Sequence, residues 1–403
     1  MSGISSTIQS QATSVTLSIA IKGRHYSIDI NQFECGASND QMLAWTDRAL
    51  AVFRDIESII KKEQKLNLDP EFCHVQLVKL AECGSLAYRS FFSAEAREIL
   101  ASRFEFMGGA TPAPTFISKE IPFPWETLYD GEDYEVGEAG MFWGMRCALA
   151  RILDYRDFTK YAREQSLPSD MLFCLHHKLR QAHQQEWPEI EKLVRRTQQC
   201  RFDVFGVRDG QCSYLGQDWR NKLKGKELLK YLYQAEHNMV HFACHCRQGD
   251  AGDDVLQITL IDKGSVEEAG EGDAHVIGLE TNTFVLAEGR FQRQPLVFLN
   301  ACQTAGGADA LRKDFNLPQK FIESGAAAVI ATACSVPDLF AAAFARQFYH
   351  FFLHEQMTIG QALRATRWHF LEVHHNPLGL AYGLYSPAHY RVAQPPAAVG
   401  GFA

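Results

Sequence analysis

Apolar and polar positions alternate through residues 15–30 (VTLSIAIKGRHYSIDI) on both sides of Lys22-Gly23, the period of two that a β-hairpin requires. From residue 40 the period lengthens. Leu43, Trp45, Leu50, Val52, Phe53, Ile56 and Ile60 recur near helical spacing and predict a helix over 40–65. Residues 75–103 predict one or two further helices, broken around Gly84, and a Gly- and Pro-rich loop follows at 108–114. The run MLFCL at 171–175 reads as a buried strand, and residues 181–196 as a helix.

Past about residue 200 the pattern changes. Apolar runs at 202–207, 238–244, 255–261, 296–300 and 326–331 read as strands, and helical stretches at 224–235 and 318–324 separate them. Ser335 and Asp338 are cap candidates for a helix reaching Leu353, residues 358–373 predict another helix, and residues 378–384 a last strand. Strands alternating with helices predict an α/β fold with a mostly parallel central sheet. The Pro- and Gly-rich tail at 393–403 is expected to be disordered.

Length and composition narrow the classes. At 403 residues the chain can form two compact units, and 46% hydrophobic with 22% charged residues is ordinary for a globular protein. A net charge of -8 carries no footprint for nucleic acid and no basic block for an anionic membrane. Residues 1–14 show no basic or apolar leader region, and no apolar stretch is long enough to span a bilayer. The 11 cysteines, an odd number spread along the chain, fit reduced cytoplasmic thiols better than a disulfide framework. A cytoplasmic location is the expectation.

Two segments carry candidate chemistry. In residues 238–246 (NMVHFACHC) an apolar strand is expected to end near Cys244, leaving His245 in the loop beyond. In residues 296–307 (LVFLNACQTAGG) a second strand ends just before Cys302, and Gly306-Gly307 follow. Open parallel sheets carry their sites beyond the carboxyl ends of their strands, so His245 and Cys302 are expected at one edge. Their spacing is close to the ~50 residues between His and Cys in caspase-type proteases. A thiol becomes a strong nucleophile as a thiolate, and an imidazole can take its proton and return it to a leaving amine. The oxyanion formed on attack needs backbone N–H donors, and the Gly-rich loop after Cys302 favours an exposed backbone.

Other groups have plainer readings. His237, His241 and His245 with Cys244 and Cys246 would make a metal face on a helix. On a strand, the expected state, His241 and His245 fall on one side and Cys244 and Cys246 on the other. No metal and no cofactor are therefore expected. There is no P-loop and no GxGxxG. Trp125, Trp143 and the Phe340, Phe344, Phe348 and Phe351 series read as core, and His374-His375 as a turn.

HFACHC at 241–246 and LNACQTAGGA at 299–308 resemble the paired motifs of the CHAT domain, the caspase-like protease domain of bacteria related to caspases and separases. IPFPWETLYD at 121–130, KFIESGAAAVIATACSV at 320–336 and AAFARQFYHFFLHEQMTIGQAL at 342–363 extend the resemblance over about 121–392. It implies a caspase-like α/β sandwich: residues 1–200 as the N-terminal hairpin and non-catalytic half, and residues 201–392 as the catalytic half. Cys302 matches the nucleophile and His245 the general acid/base, with the backbone N–H groups of Cys302 and Cys246 forming the oxyanion hole. The family usually has Gly where Cys246 stands. Asn300 stands where related metacaspases have an Asp that binds basic P1 residues, which argues against Arg/Lys specificity. Asn300, Asp250, Asp253 and Asp254 are the candidate pocket residues.

The resemblance implies a regulated cysteine endopeptidase of bacterial defence or cell-death systems. Its protein substrate would be a partner such as a gasdermin-like or CRISPR-associated protein, with an activating protein or ligand releasing the protease onto it. The alternative is a catalytically inactive caspase-like adaptor or ligand-sensing module. The acidic, Gly-containing stretch at 262–273 is a candidate for self-cleavage.

Overall fold

The computed structural model describes residues 16–22, 28–34, 39–106, 111–117, 123–152, 166–167, 170–176, 178–196, 200–205, 224–248, 254–261, 274–301 and 316–392. The strands β1 (Thr16–Lys22) and β2 (Ile28–Glu34) pair antiparallel, as their alternation predicts. Helices α1 (Asn39–Glu63), α2 (Pro70–Phe91) and α3 (Ala94–Phe106) follow. Next come β3 (Pro114–Ile117), the one-turn helix α4 (Trp143–Arg146), β4 (Ala150–Ile152), β5 (Ser166–Leu167), β6 (Met171–Leu175), α5 (Trp187–Arg196) and β7 (Phe202–Val204). The rest of the chain supplies α6 (Gly225–Gln234), β8 (Met239–Gln248), β9 (Asp254–Ile261), β10 (Ala274–Glu280), α7 (Thr281–Ala287) and β11 (Leu296–Ala301). It ends with α8 (Asn316–Glu323), β12 (Ala328–Thr332), α9 (Asp338–Tyr349), α10 (Ile359–His374), β13 (Tyr382–Tyr385) and β14 (Arg391–Val392).

One 12-stranded sheet runs β10-β9-β8-β11-β12-β13-β4-β3-β1-β2, with β6 beside β8 and β7 beside β6. Its middle, β7-β6-β8-β11-β12, is parallel throughout. These strands read as continuous apolar runs because helices cover both of their faces. Leu296 and Phe298 of β11 face a core shared with α1, α2, α9 and α10. Val297 and Leu299 face a second core, under α6, α7 and α8. The result is an α/β sandwich on a mostly parallel central sheet. The sheet is continuous through residue 200: β6 lies between β7 and β8.

Local signals explain the helix ends. Asp69 caps α2 by accepting the N–H groups of Glu71 and Phe72, each at 3.0 Å, with Pro70 at the first helical position. Thr358 and Gln361 form a reciprocal capping box at the start of α10, which ends on His375 in the left-handed conformation (φ 48°).

Four expectations change. Gly84 does not break a helix: α2 runs through it. A Cβ there would lie 2.0 Å from the Thr127 carbonyl oxygen and 2.9 Å from the Tyr129 backbone nitrogen, so Gly84 is needed for close approach. Gly84→Ala should therefore cost at least the ~1–3 kcal/mol of ordinary overpacking, read as a lowered melting temperature. A melting curve that overlays wild type would refute this account. Neither Ser335 nor Asp338 caps α9. Ser335 donates to Glu57 (2.7 Å) and Asp338 accepts the N–H of Gln181 (2.7 Å). Residues 377–381 form a 3-10 turn, leaving only Tyr382–Tyr385 as strand. Finally, β8 does not stop at Cys244, and β10 with α7 are elements the pattern did not suggest. The tail at 393–403 and the stretch at 262–273 lie outside the described residues.

Candidate active site

Strand β8 changes partners at one point. Its parallel pairing ends at Leu175↔Ala243 with β6 and at Ala301↔Cys244 with β11. The next residue, His245, pairs antiparallel with Gln257 of β9. His245 thus stands just beyond the carboxyl ends of the central parallel strands, where α/β sheets place ligands. It is held in a strand, where the sequence pattern had put it in a loop. This is because β9 returns along β8 and gives its backbone a partner.

A second imidazole meets it. His176, directly after β6, donates its backbone N–H to the Ala243 carbonyl at 2.9 Å, extending the β6–β8 ladder by one step. Its ring packs edge-to-face against His245, centroids 4.6 Å apart at 71°. Nδ1 of His176 accepts the Lys178 N–H at 3.2 Å, which puts a neutral ring's proton on Nε2. His176 is buried, and His245 is half-buried. His176 was missed in the sequence, although it follows an apolar strand just as His245 was expected to.

Beneath the strand ends lies a buried polar network. Oε1 of Glu186 is 2.8 Å from Nε2 of His241 and accepts Nδ2 of Asn300 at 2.6 Å. The hydroxyl of Tyr349 is 3.1 Å from Nδ1 of His241. Asn300 also donates to the Ala341 carbonyl at 2.9 Å, and Tyr382 donates to its Oδ1 at 2.7 Å. Glu186 ends a π-helical turn, Ala182–Glu186, that continues into α5. Such turns break the 3.6-residue period, so helical spacing could not have pointed to Glu186. Asp338 accepts the N–H of Gln181, just before this turn, and burial, with Glu186 nearby, pushes its carboxyl up to about 6. Burial first, and then Glu186, pushes the Tyr349 hydroxyl and the Cys244 thiol up as well.

The predicted residues separate accordingly. Cys302, Asp250 and Asp253 lie outside the described residues; Ala301, the residue before Cys302, ends β11 opposite Cys244. Asp254 opens β9 opposite Gln248. Asn300 is 1% exposed and all its bonds above go to the core, so it lines no open pocket in this structure. Cys246 pairs with Leu256 and packs into the core under α6 to α8, on the face away from His245. The three histidines of the metal alternative part company: His237 pairs with Asp203 (2.8 Å), His241 with Glu186, and His245 with His176. Trp125 and Trp143 are core, with Trp125 stacked on Phe116 at 4.1 Å.

The CHAT domain profile matches residues 122–389, about two thirds of the chain. The chain belongs to the CHAT domain family. A probable protease of Vitiosangium sp. (strain GDMCC 1.1324) is 36% identical over 89 residues, 22% of this CHAT chain and 11% of that protein. The Saccharomyces cerevisiae separase–securin complex matches with a TM-score of 0.40 and 11% identity, over 85% of this chain and 22% of that one. Porphyromonas gingivalis RgpB, in the complex of its pro- and mature domains, matches with a TM-score of 0.44 and 9% identity, over 76% and 72%. The CHAT chain thus spans a small part of the Vitiosangium protein and of the separase chain. The CHAT domain here is the α/β sandwich described above. Among the described residues no helix is long and apolar enough to cross a membrane.

Proposed function

We propose that this CHAT domain chain is a cysteine endopeptidase that works through a His245–Cys302 dyad. The observation that carries the reading is the partner switch of β8: His245 directly follows the Ala301↔Cys244 pair, and Cys302 directly follows Ala301 in the chain. In the reaction, His245 takes the proton of the Cys302 thiol. The thiolate attacks the peptide carbonyl, and the oxyanion is held by the backbone N–H groups of Cys302 and Cys246. His245 then donates its proton to the leaving amine, and water hydrolyses the thioester. The side chain of Cys246 packs on the opposite face of the strand from His245. Asp250 and Asp253, between β8 and β9 in the chain, and Asp254, the first residue of β9, are the pocket residues of this reading. The substrate is a specific protein partner in the cytoplasm, in a bacterial defence or cell-death system. A gasdermin-like or CRISPR-associated protein fits that role, with an activating protein or ligand as the trigger.

The test is N-terminal proteomics of host lysate incubated with wild type or Cys302→Ala. New termini only with wild type support the reading and identify the substrate. Equal termini, together with no labelling of Cys302 by an electrophilic peptide ketone, favour an inactive adaptor.

His176 enters as a positioning residue: its fixed ring holds the plane of His245. His176→Ala should lower kcat by roughly 10- to 100-fold with KM little changed, as small misplacements do. His176→Phe, which keeps a ring against His245, should recover most of the loss. An alanine variant as fast as wild type would remove His176 from the mechanism.

A further inference from the structure

Away from the strand ends, three metal-ligand side chains meet where α9 runs out. His350–His354 form a π-helical turn that continues α9, a rare geometry often found at functional sites. The rings of His350 and His354 are nearly parallel, centroids 5.0 Å apart at 15°. Oε1 of Glu355 lies 2.9 Å from Nδ1 of His354 and 3.6 Å from Nε2 of His350. All three ligand atoms fall within 4.8 Å of one another.

The separations fit one ion. A tetrahedral first-row ion with bonds of about 2.0–2.2 Å spaces its donors about 3.3 Å apart. The two carboxylate–imidazole distances fall on either side of that value, and all three ligand atoms lie within 4.8 Å of one another. The backbone beneath is pinned: Phe352 and Leu353 are buried, and the N–H groups of Glu355 and Met357 donate to the carbonyls of His350 and Phe351, both at 3.1 Å. The ligands themselves are about half exposed, open to an incoming ion. The end of a helix is its negative pole, which also favours a cation. As plain surface ion pairs these contacts would contribute little.

We propose that His350 Nε2, His354 Nδ1 and Glu355 Oε1 bind a divalent first-row metal ion. Two imidazoles and a carboxylate best suit zinc, and leave one coordination position for water or a partner's side chain. The residue before this turn is Tyr349, whose hydroxyl reaches His241. The ion would therefore brace the helix end that also supports the core beneath the strand ends.

The test uses the full chain freed of metal by chelation. Calorimetric titration with Zn²⁺ should reveal a site that His350→Ala/His354→Ala abolishes and Glu355→Gln weakens by at least about tenfold. Co²⁺ at that site should give weak visible bands without the intense near-ultraviolet bands of thiolate ligation. This distinguishes the site from the chain's cysteines. All three substitutions fall on half-exposed side chains, and equal melting temperatures in chelator verify folding. Equal Zn²⁺ binding by wild type and the double variant overturns the proposal, as does a thiolate-type Co²⁺ spectrum.

Discussion

Cys302→Ala is expected to lower kcat/KM by at least about 1,000-fold on a peptide spanning the natural cleavage site, the scale on which nucleophile removal acts in acyl-transfer enzymes. His245→Ala should fall to a similar floor. In the proposed dyad the two groups act on one proton and one bond, so the double variant should be no slower than the worse single one. That non-additivity is the sharpest part of the prediction. If the losses multiplied, the residues would be acting independently and the dyad would be refuted. If Cys302→Ala cleaved at the wild-type rate, another nucleophile would be at work. His245 lies in a paired strand, half-buried, and His245→Ala should melt close to wild type.

The largest stability effect is expected at Glu126. Its carboxylate is 1% exposed and serves two buried arginines. One oxygen pairs with Arg151 in a short contact, and the other lies 3.5 Å from Nη2 of Arg367. Burial pulls the Arg367 guanidinium down to about 10, against the attraction of Glu126 and with the added repulsion of Arg151. At Arg151 burial acts the same way, but Glu126 and Tyr385 outweigh it and its pKa is raised. Glu126 is thus the anion on which both buried cations depend. Glu126→Gln keeps the shape and removes the charge, and is expected to cost about 3–5 kcal/mol, the usual result of breaking a buried pair from one side. Chemical denaturation should show it as an early midpoint or as loss of soluble protein. Glu126→Gln/Arg367→Met should recover part of the loss, since it removes a cation along with the anion. Wild-type stability in Glu126→Gln would mean that the backbone carbonyls around Arg367 suffice.

These two predictions draw on different kinds of information. The proposed dyad comes from order along the chain. The apolar runs at 238–244 and 296–300 had to be buried strands, and small or reactive residues directly after them had to lie at strand ends. The structure has both strands and adds their register, but it carries β8 past His245 to Gln248. The role of Glu126 could not be read that way. PWETLYD was legible as a motif, but the glutamate's partners lie 25 and 241 positions away, on β4 and α10. Asn300 shows the same limit. Its place two residues before Cys302 suggested a pocket, whereas three-dimensional packing surrounds it with Glu186, Ala341 and Tyr382.

Hydrophobic periodicity, strand–helix alternation and caps such as Asp69 and Thr358 depend on neighbours within a few residues. The sequence by itself therefore determined the α/β class, most element positions and the family motifs. The switch of β8 from parallel to antiparallel partners, the contact of His176 with His245, the Glu186 network and the tight fit of Gly84 against Thr127 were decided by the tertiary structure alone. Each joins residues far apart in the chain whose meeting depends on strand order and register, and one-dimensional spacing encodes neither.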